Sequence, residues 1–470
     1  MSLKHGVYVS EQATSVPTPM GAESGVPFVV GLAPVHSAAV PAKSGIPVLC
    51  TCWSEAVEKL GYSDDWKKYT LCEFMYSHFQ LFGCQPVIFC NVLDVSKTEK
   101  VDAADMPVTS HKVMLPMEAI GSSVVVKSAD GTPLAADTDY ALYYDGDSLT
   151  IELLAGTENY AAESVNVAYD KVITAATAAD IADGIESAEL CLTLLGTTPD
   201  LICAPGWSQD PAVAAVMVTK AGSINGLFHA KALVDIDCSK SGATIFTDAI
   251  NVKASNKLVD GDQIVCWPML TKDGRCFHAS TQIAGLMAQV DTANDGCPYE
   301  SPSNKNLQCD GLCLADGTEV TLTFTQANQL NAAGIVTALN FVNGWVAWGN
   351  YTGCYPENKE AKNCIIPISR MFGWVGNTLV KTFWSKLDKP MTRRLIDTVL
   401  DAANIWLNGV VGRGYLLGAR VEMYDDENPL ENLMAGIIKL HIYMTPAGPA
   451  QEIDFVLEYD ASYVSNTLQG

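Results

Sequence analysis

At 470 residues, 48% of them apolar, the chain carries hydrophobic material for roughly three packed domains, which excludes wholesale disorder. Its net charge of −24 argues against binding free nucleic acid, because an acidic majority repels phosphate, and no uninterrupted apolar run reaches the roughly 20 residues of a membrane span. Arginine is absent before Arg275, and the other five, Arg370, Arg393, Arg394, Arg413 and Arg420, gather toward the C-terminus.

Residues 1–20 open with HGVYVSEQ, where Val7 and Val9 alternate with Tyr8 and Ser10 in the period of a half-buried strand that nothing nearby can pair with. Pro17 and Pro19 make SVPTP an extended connector, so residues 1–20 are expected to form an arm. Over 21–95, PFVVGLAP and PVIFCNVL read as buried strands around DDWKKYTLCEFMYSHFQLFG, a helix with Trp66, Tyr69, Phe79 and Phe82 near one face and Gly83 as its stop. The character changes over 96–171. Between Val101 and Lys171 there is no cysteine, tryptophan or arginine, and acidic residues outnumber lysines. SSVVVKS, DYALYYD, SLTIELL and SVNVAYD alternate between turns such as ADGT and DGDS, which predicts an inserted, peripheral antiparallel β domain.

The α/β pattern returns over 172–335, with strands DLICAPGW, KALVDI and QIVCWPML and helices DPAVAAVMVTKAG and STQIAGLMAQV, so the expected fold is an interrupted doubly wound α/β domain. AGIVTALNFVNGWVAWG, broken by Asn340 and Asn343, reads as core. Residues 336–449 read as an α+β C-terminal domain, with helices near 370–384 and 391–407. They are followed by the strand GIIKLHIYM, whose Ile438, Leu440, Ile442 and Met444 oppose Lys439, His441 and Tyr443. TPAGPA, with Pro446 and Pro449, then breaks the chain before a second arm, 450–470, in which EIDFVLEYD sets Ile453, Phe455, Leu457 and Tyr459 on one side. No period of 20 to 50 residues repeats.

An α/β core invites an enzyme, but GxSxG, GxxxxGK[ST], HExxH and EF-hand patterns are all absent. GVVGRGYLLG has Leu417 where the third glycine of a dinucleotide fingerprint belongs and no strand before it, so it reads as a turn between helix and strand. His278, in RCFHAST, is the least implausible base, although a lone histidine near a helix start is usually packed. Cys297, Cys309 and Cys313 lack paired metal spacing. Fifteen cysteines, an odd number in a chain without a signal-peptide pattern, read as reduced packed thiols. Asp425, Asp426 and Asn428 in YDDENPLENL look like a turn and helix cap rather than a calcium loop. No catalytic residue, cofactor or metal is expected. Two classes remain: a structural assembly protein, and a cytosolic α/β hydrolase or transferase with an acidic inserted domain. Two strand-like arms on proline connectors favour the first.

Taken in order, HGVYVSEQ with PFVVGLAP, LFGCQPVIFCNV, DLICAPG, STQIAGLMAQVDTANDGCPYESPSNKNL, GWVAWGNYTG and NPLENLMAGIIKLHIYMTPAGPAQEIDFVL resemble the contractile tail sheath protein family of phages and phage-tail-like bacteriocins. Ser301, Pro302 and Ser303 stand in that family's Ala-Pro-Asn loop, and Asn350 stands where an arginine is common. The resemblance implies an α/β domain called subtilisin-like for its topology alone, a peripheral insertion, and a C-terminal domain lining an inner surface. It also implies terminal arms that add strands to neighbours' sheets. Val7, Tyr8, Val9, Ile453, Phe455 and Leu457 would be the arm strands, and Pro17, Pro19, Pro446 and Pro449 the hinges. The implied partners are further copies in stacked hexameric rings, a tail tube protein, and baseplate and tail terminator proteins, without direct nucleic acid or membrane insertion. The implied location is a virion tail or phage-tail-like particle assembled in the bacterial host cytoplasm, where contraction drives the tube through a bacterial envelope. Lys386, Lys389, Arg393 and Arg394 cluster near a helix start, where the dipole disfavours positive charge, and are expected to face an acidic tube surface.

Overall fold

The computed structural model describes residues 23–468, so Val7, Tyr8, Val9, Pro17 and Pro19 lie outside the described residues. The fold is mixed α/β, as expected. Its centre is an eight-stranded sheet in the spatial order Trp345–Trp348, Ile335–Asn340, Gln263–Cys266, Lys231–Asp235, Leu201–Cys203, Pro27–Gly31, Val87–Asn91 and Val48–Cys50. The inner six strands run parallel and each edge strand is antiparallel. Every residue of Pro27–Gly31, Val87–Asn91 and Lys231–Asp235 is buried. Strands covered on both faces read as continuous apolar runs, which is why these three are plain in the sequence.

Three expectations need correction. The helix expected to start near residue 64 begins at Thr70, α-helical to Met75 and π-helical over Tyr76–Phe82, with Trp66 and Tyr69 buried ahead of it. Gly83 does end it, at φ 62°. QIVCWPML is two strands, because Pro268 has no N–H for a ladder. Gln263–Cys266 stays in the main sheet, and Met269–Lys272 joins a separate antiparallel sheet with Arg275–Phe277, Gly311–Cys313 and Glu319–Val320. The main sheet also runs on past residue 335, since Ile335–Asn340 and Trp345–Trp348 belong to it. The C-terminal lobe therefore starts near the helix Ile366–Phe383, not at 336.

Between Thr98 and Val172 the chain forms two three-stranded antiparallel sheets around their own core, with Leu115, Ile151, Val165 and Val167 at 0 or 1% exposure. This excursion is fastened to the α/β body by Lys68–Glu118 at 2.6 Å, by Ser63 Oγ donating to Asp147 at 2.5 Å, and by His36 Nε2 against the Met117 carbonyl at 2.7 Å.

The C-terminal lobe packs the helices Ile366–Phe383 and Arg393–Gly412 with a two-stranded sheet, Leu416–Glu422 and His441–Pro446, around Met371, Trp374, Leu407, Val410 and Val421. One buried guanidinium rivets this lobe to the body. Arg370 Nη1 donates to Asp291 Oδ1 at 3.0 Å, and Nη2 reaches Asp291 Oδ2 at 2.5 Å and Asp200 Oδ2 at 2.6 Å. The start of the described chain enters the same cluster. Ser24 Oγ donates to Asp291 at 2.5 Å, Val26 N–H donates to Asp200 at 2.9 Å, and Glu23 accepts from Thr197. Gly25, at φ +72°, is required between them, since a Cβ there would lie 2.8 Å from Ala288 Cα.

Candidate assembly surface

Ligands of open α/β sheets collect at the carboxyl ends of the parallel strands. Here those ends are occupied by side chains bonded to one another. Asp235 accepts from the Ser280 N–H at 2.8 Å, Ser280 Oγ at 2.5 Å and Ser208 Oγ at 3.2 Å, while Asn91 accepts from the Ala33 and Leu93 N–H groups. His278 caps the start of the helix Ala279–Ala293. Its backbone N–H donates to one Glu73 oxygen and its Nδ1 meets the other, both at 2.7 Å. Ser280 and Glu73 are 0% and 1% exposed, so this is a packed helix start.

Burial alone would push the His278 imidazole down, but the Glu73 carboxylate, bonded to it, and Asp235 beyond raise it to about 9. A raised folded pKa contributes stability that is fully present below the unfolded value near 6.5 and lost as pH rises through about 9. The expected difference in unfolding stability between the natural chain and His278→Gln therefore shrinks by on the order of 3 kcal/mol between pH 6.5 and pH 9.5. Calorimetric scans of both proteins across that range check it.

Cys297 packs against Met371 Sδ at 3.5 Å in the C-terminal lobe, apart from Cys313 in the main core. Among the described residues no cluster of three or more potential ligands could hold a metal ion, and no helix is long and apolar enough to cross a membrane. GVVGRGYLLG does turn from a helix, Arg393–Gly412, into a strand, Leu416–Glu422. Asn428 is not a helix cap, because Pro429 holds that position before Leu430–Met434. It bridges instead, its Oδ1 accepting from the Lys439 N–H at 2.7 Å and its Nδ2 donating to the Lys439 and Tyr424 carbonyls at 2.8 Å.

The segment after Pro446 is expected to pair only with a further copy, and the single chain shows it unpaired. EIDFVLEYD is irregular in the single chain: among the described residues no partner strand reaches it, and an unpaired strand leaves its backbone groups without bonds. Its apolar side chains are bare, with Ile453 71%, Phe455 85%, Val456 91%, Leu457 94% and Tyr459 80% exposed. Pro446 ends the strand His441–Pro446 and is buried, while Pro449 is partly buried beyond it. In the chain this segment follows the lobe's two-stranded sheet, Leu416–Glu422 with His441–Pro446. Of the expected strand GIIKLHIYM only His441–Pro446 forms, with Leu440, Ile442 and Met444 turned to the lobe's core and Tyr443 outward.

The basic residues fall on the connection between the lobe's two helices. Arg393 and Arg394 occupy the first turn of Arg393–Gly412, where Thr392 caps by accepting the Leu395 N–H, and Lys386 and Lys389 precede it. Arg393 is held by Asp397 at 2.9 Å, whereas Lys389, Arg393 and Arg394 are all exposed. Sequence reasoning missed the apolar residues between them. Trp384 and Leu387 are each 59% exposed and Met391 38%, and a tryptophan set among lysines in FWSKLDKPM was the available signal.

Residues 174–352 match the family model described as the phage tail sheath protein central domain. The tail sheath protein of Burkholderia phage BcepMu is 24% identical over 489 residues, spanning 99% of this chain and 98% of that protein. In three dimensions the chain is similar to the helical sheath of the anti-feeding prophage in its contracted state, with TM-score 0.60, 16% identity, and 98% of this chain and 100% of that one covered. It is also similar to a chain of the six-fold symmetrised anti-feeding prophage baseplate, with TM-score 0.58, 15% identity, and 98% and 100% covered. In its central domain, along its whole length and in its fold, this chain is similar to contractile tail sheath proteins.

Proposed function

We propose that the protein is the repeating subunit of a contractile sheath, which polymerises around an inner tube and shortens to drive that tube through a bacterial envelope. The observation that carries this is the bare alternation of Ile453, Phe455, Leu457 and Tyr459 in a segment that follows, in the chain, a sheet of only two strands. A donor strand without a partner and a small sheet able to extend are the two halves of β-augmentation between copies. In this reading the fold is the interrupted, subtilisin-like doubly wound domain with an acidic β domain at the periphery. Residues 1–20 and 450–470 are the arms, and Pro17, Pro19, Pro446 and Pro449 set their reach. Hexameric rings stack, linked by arms that survive rotation, so the stack widens and shortens without falling apart. Each copy contributes a modest free energy to collapse, and a kinetic barrier preserves the extended form until a baseplate releases it. The particle, a phage tail or its headless counterpart with baseplate and terminator at its ends, is assembled in the host cytoplasm. The mutually bonded cluster around His278 supports a structural role over catalysis.

Negative-stain microscopy of the purified protein tests the reading: rings or striated cylinders are expected, and a strictly monomeric population at high concentration would sink it. The tube is gripped through Lys386, Lys389, Arg393 and Arg394, with Trp384 and Leu387 among them. Reversing Lys389, Arg393 and Arg394 to Glu is expected to leave sheaths that polymerise but lack tubes. Normal tube-filled extended sheaths from that variant would remove the assignment.

A further inference from the structure

The hairpin at one side of the central sheet ends in a bare apolar tip. Its strands, Ile335–Asn340 and Trp345–Trp348, are mostly buried, yet between them Phe341 is 67% and Val342 80% exposed. No residue from Asn340 to Gly344 carries a charge. The tip is braced from below. The Phe341 ring stacks on Phe324, the first residue of the helix Phe324–Ala332, at 5.4 Å, and Phe324 packs on Trp348 at 5.8 Å. An aromatic side chain already held in place can be covered by a partner with little further loss of freedom.

A cavity of about 580 Å³ opens at the other end of that helix, in the groove between it and the helix Phe246–Ser255. Phe246, Ile250, Val259 and Ala333 give it apolar lining, with Ala254 and Gln329 exposed at its sides. Two charged residues also line it, Lys253 and Glu357, but Lys253 is engaged: its Nζ donates to the Gly353 carbonyl at 2.7 Å and the Tyr355 carbonyl at 3.1 Å. The tip is out of reach of its own chain's cavity. The helix Phe324–Ala332 rises about 12 Å, and Ile335–Asn340 runs back along it, so the cavity lies at the amino end of that strand and the tip at its carboxyl end.

We infer, building on the sheath reading, that the tip Phe341–Val342 of one copy seats in the cavity between Phe246–Ser255 and Phe324–Ala332 of the next copy, a head-to-tail contact between α/β bodies. A heterologous interface joins two different patches of identical subunits, and here one chain presents both halves at opposite ends of one helix. Charge points to a second copy as the occupant. At −24 each, two copies repel across most of their surface, and an uncharged tip entering a mainly apolar cavity is where they approach at least cost. The rims match as well. Asn340 and Asn343 flank the apolar pair, as Gln329 and Glu357 edge the cavity, so an apolar centre gains a polar surround.

Cysteine trapping in assembled sheaths tests the contact. In a Cys52→Ser background, which removes the one exposed thiol among the described residues, Val342→Cys is combined in the same chain with Ala254→Cys, Val259→Cys or Gln329→Cys, all exposed positions around the cavity. A seated tip brings residue 342 within disulfide reach of at least one of them, with Cα atoms less than about 7 Å apart. Mild oxidation is expected to give a ladder of covalent dimers, trimers and longer chains on denaturing gels, since each copy offers both halves, and no ladder from any single variant. Dimers from Val342→Cys alone would mean that tips meet each other, and cylinders without a ladder from any pair would mean that the tip faces something else. Either result overturns the contact and leaves the sheath reading standing, whereas a natural chain that never polymerises removes both. Val342→Glu gives a measurement independent of cross-link geometry. It sets a second carboxylate against Glu357 and is expected to leave the thermal midpoint unchanged while raising the concentration needed for polymerisation about tenfold. Polymerisation of that variant at the natural concentration would overturn the contact.

Discussion

A chain ended after Glu452 is expected to fold with an unchanged thermal midpoint and to form no cylinders. Every large apolar side chain from Ile453 to Tyr459 is at least 71% exposed, so their removal strips almost no buried surface from the subunit. In the proposed lattice the same residues would be buried between subunits, where burying Phe455 or Leu457 contributes about 1.5–3 kcal/mol each and the backbone ladder adds to that. Because every copy would lose the same link, the loss multiplies along the polymer. Removal of residues 1–20 is expected to have the same outcome. Scanning fluorimetry and negative-stain micrographs of both truncations check it, and full polymerisation by either would refute the linking role of that arm.

The second large effect is on stability. Arg370→Met leaves Asp291 and Asp200 facing each other without their cation, Asp291 at 0% exposure, and breaking such a buried pair from one side costs about 3–5 kcal/mol. The unfolding midpoint of the variant is expected to fall well below that of the natural chain, and adding Asp200→Asn and Asp291→Asn to Arg370→Met is expected to recover part of the loss. A variant with Arg370→Met alone and an undisturbed midpoint would mean that the carboxylates are hydrated or protonated without penalty.

What the sequence revealed depended on whether the signal was local. Pro27–Gly31 and Lys231–Asp235 were legible because burial on both faces writes a strand as an apolar run. EIDFVLEYD stays irregular in the single chain because alternation reports how a strand would face, not whether a partner is present. QIVCWPML read as one strand because hydropathy runs straight through Trp267 and Pro268, although proline cannot continue the ladder. The Arg370 cluster was invisible, as its partners Asp291 and Asp200 lie 79 and 170 residues away. Asn404, whose side chain takes both backbone groups of Val421 on the strand Leu416–Glu422, looks like any polar residue on a helix face. Trp384 stands in plain view in FWSKLDKPM, but the lysines around it dominate the character of that stretch.

The cluster at Arg370 also has a mechanical meaning. Tension arriving through the residues ahead of Glu23 meets Thr197, Asp291 and Asp200 within four residues, before it reaches the first strand. Several bonds share that load at once, and the guanidinium hands it directly to the lobe that residues 447–470 follow. The excursion between Thr98 and Val172 lies off this line of force. Such a subunit is a stiff coupling, so in the proposed sheath the compliance of a stretched or collapsing lattice would belong to the arms.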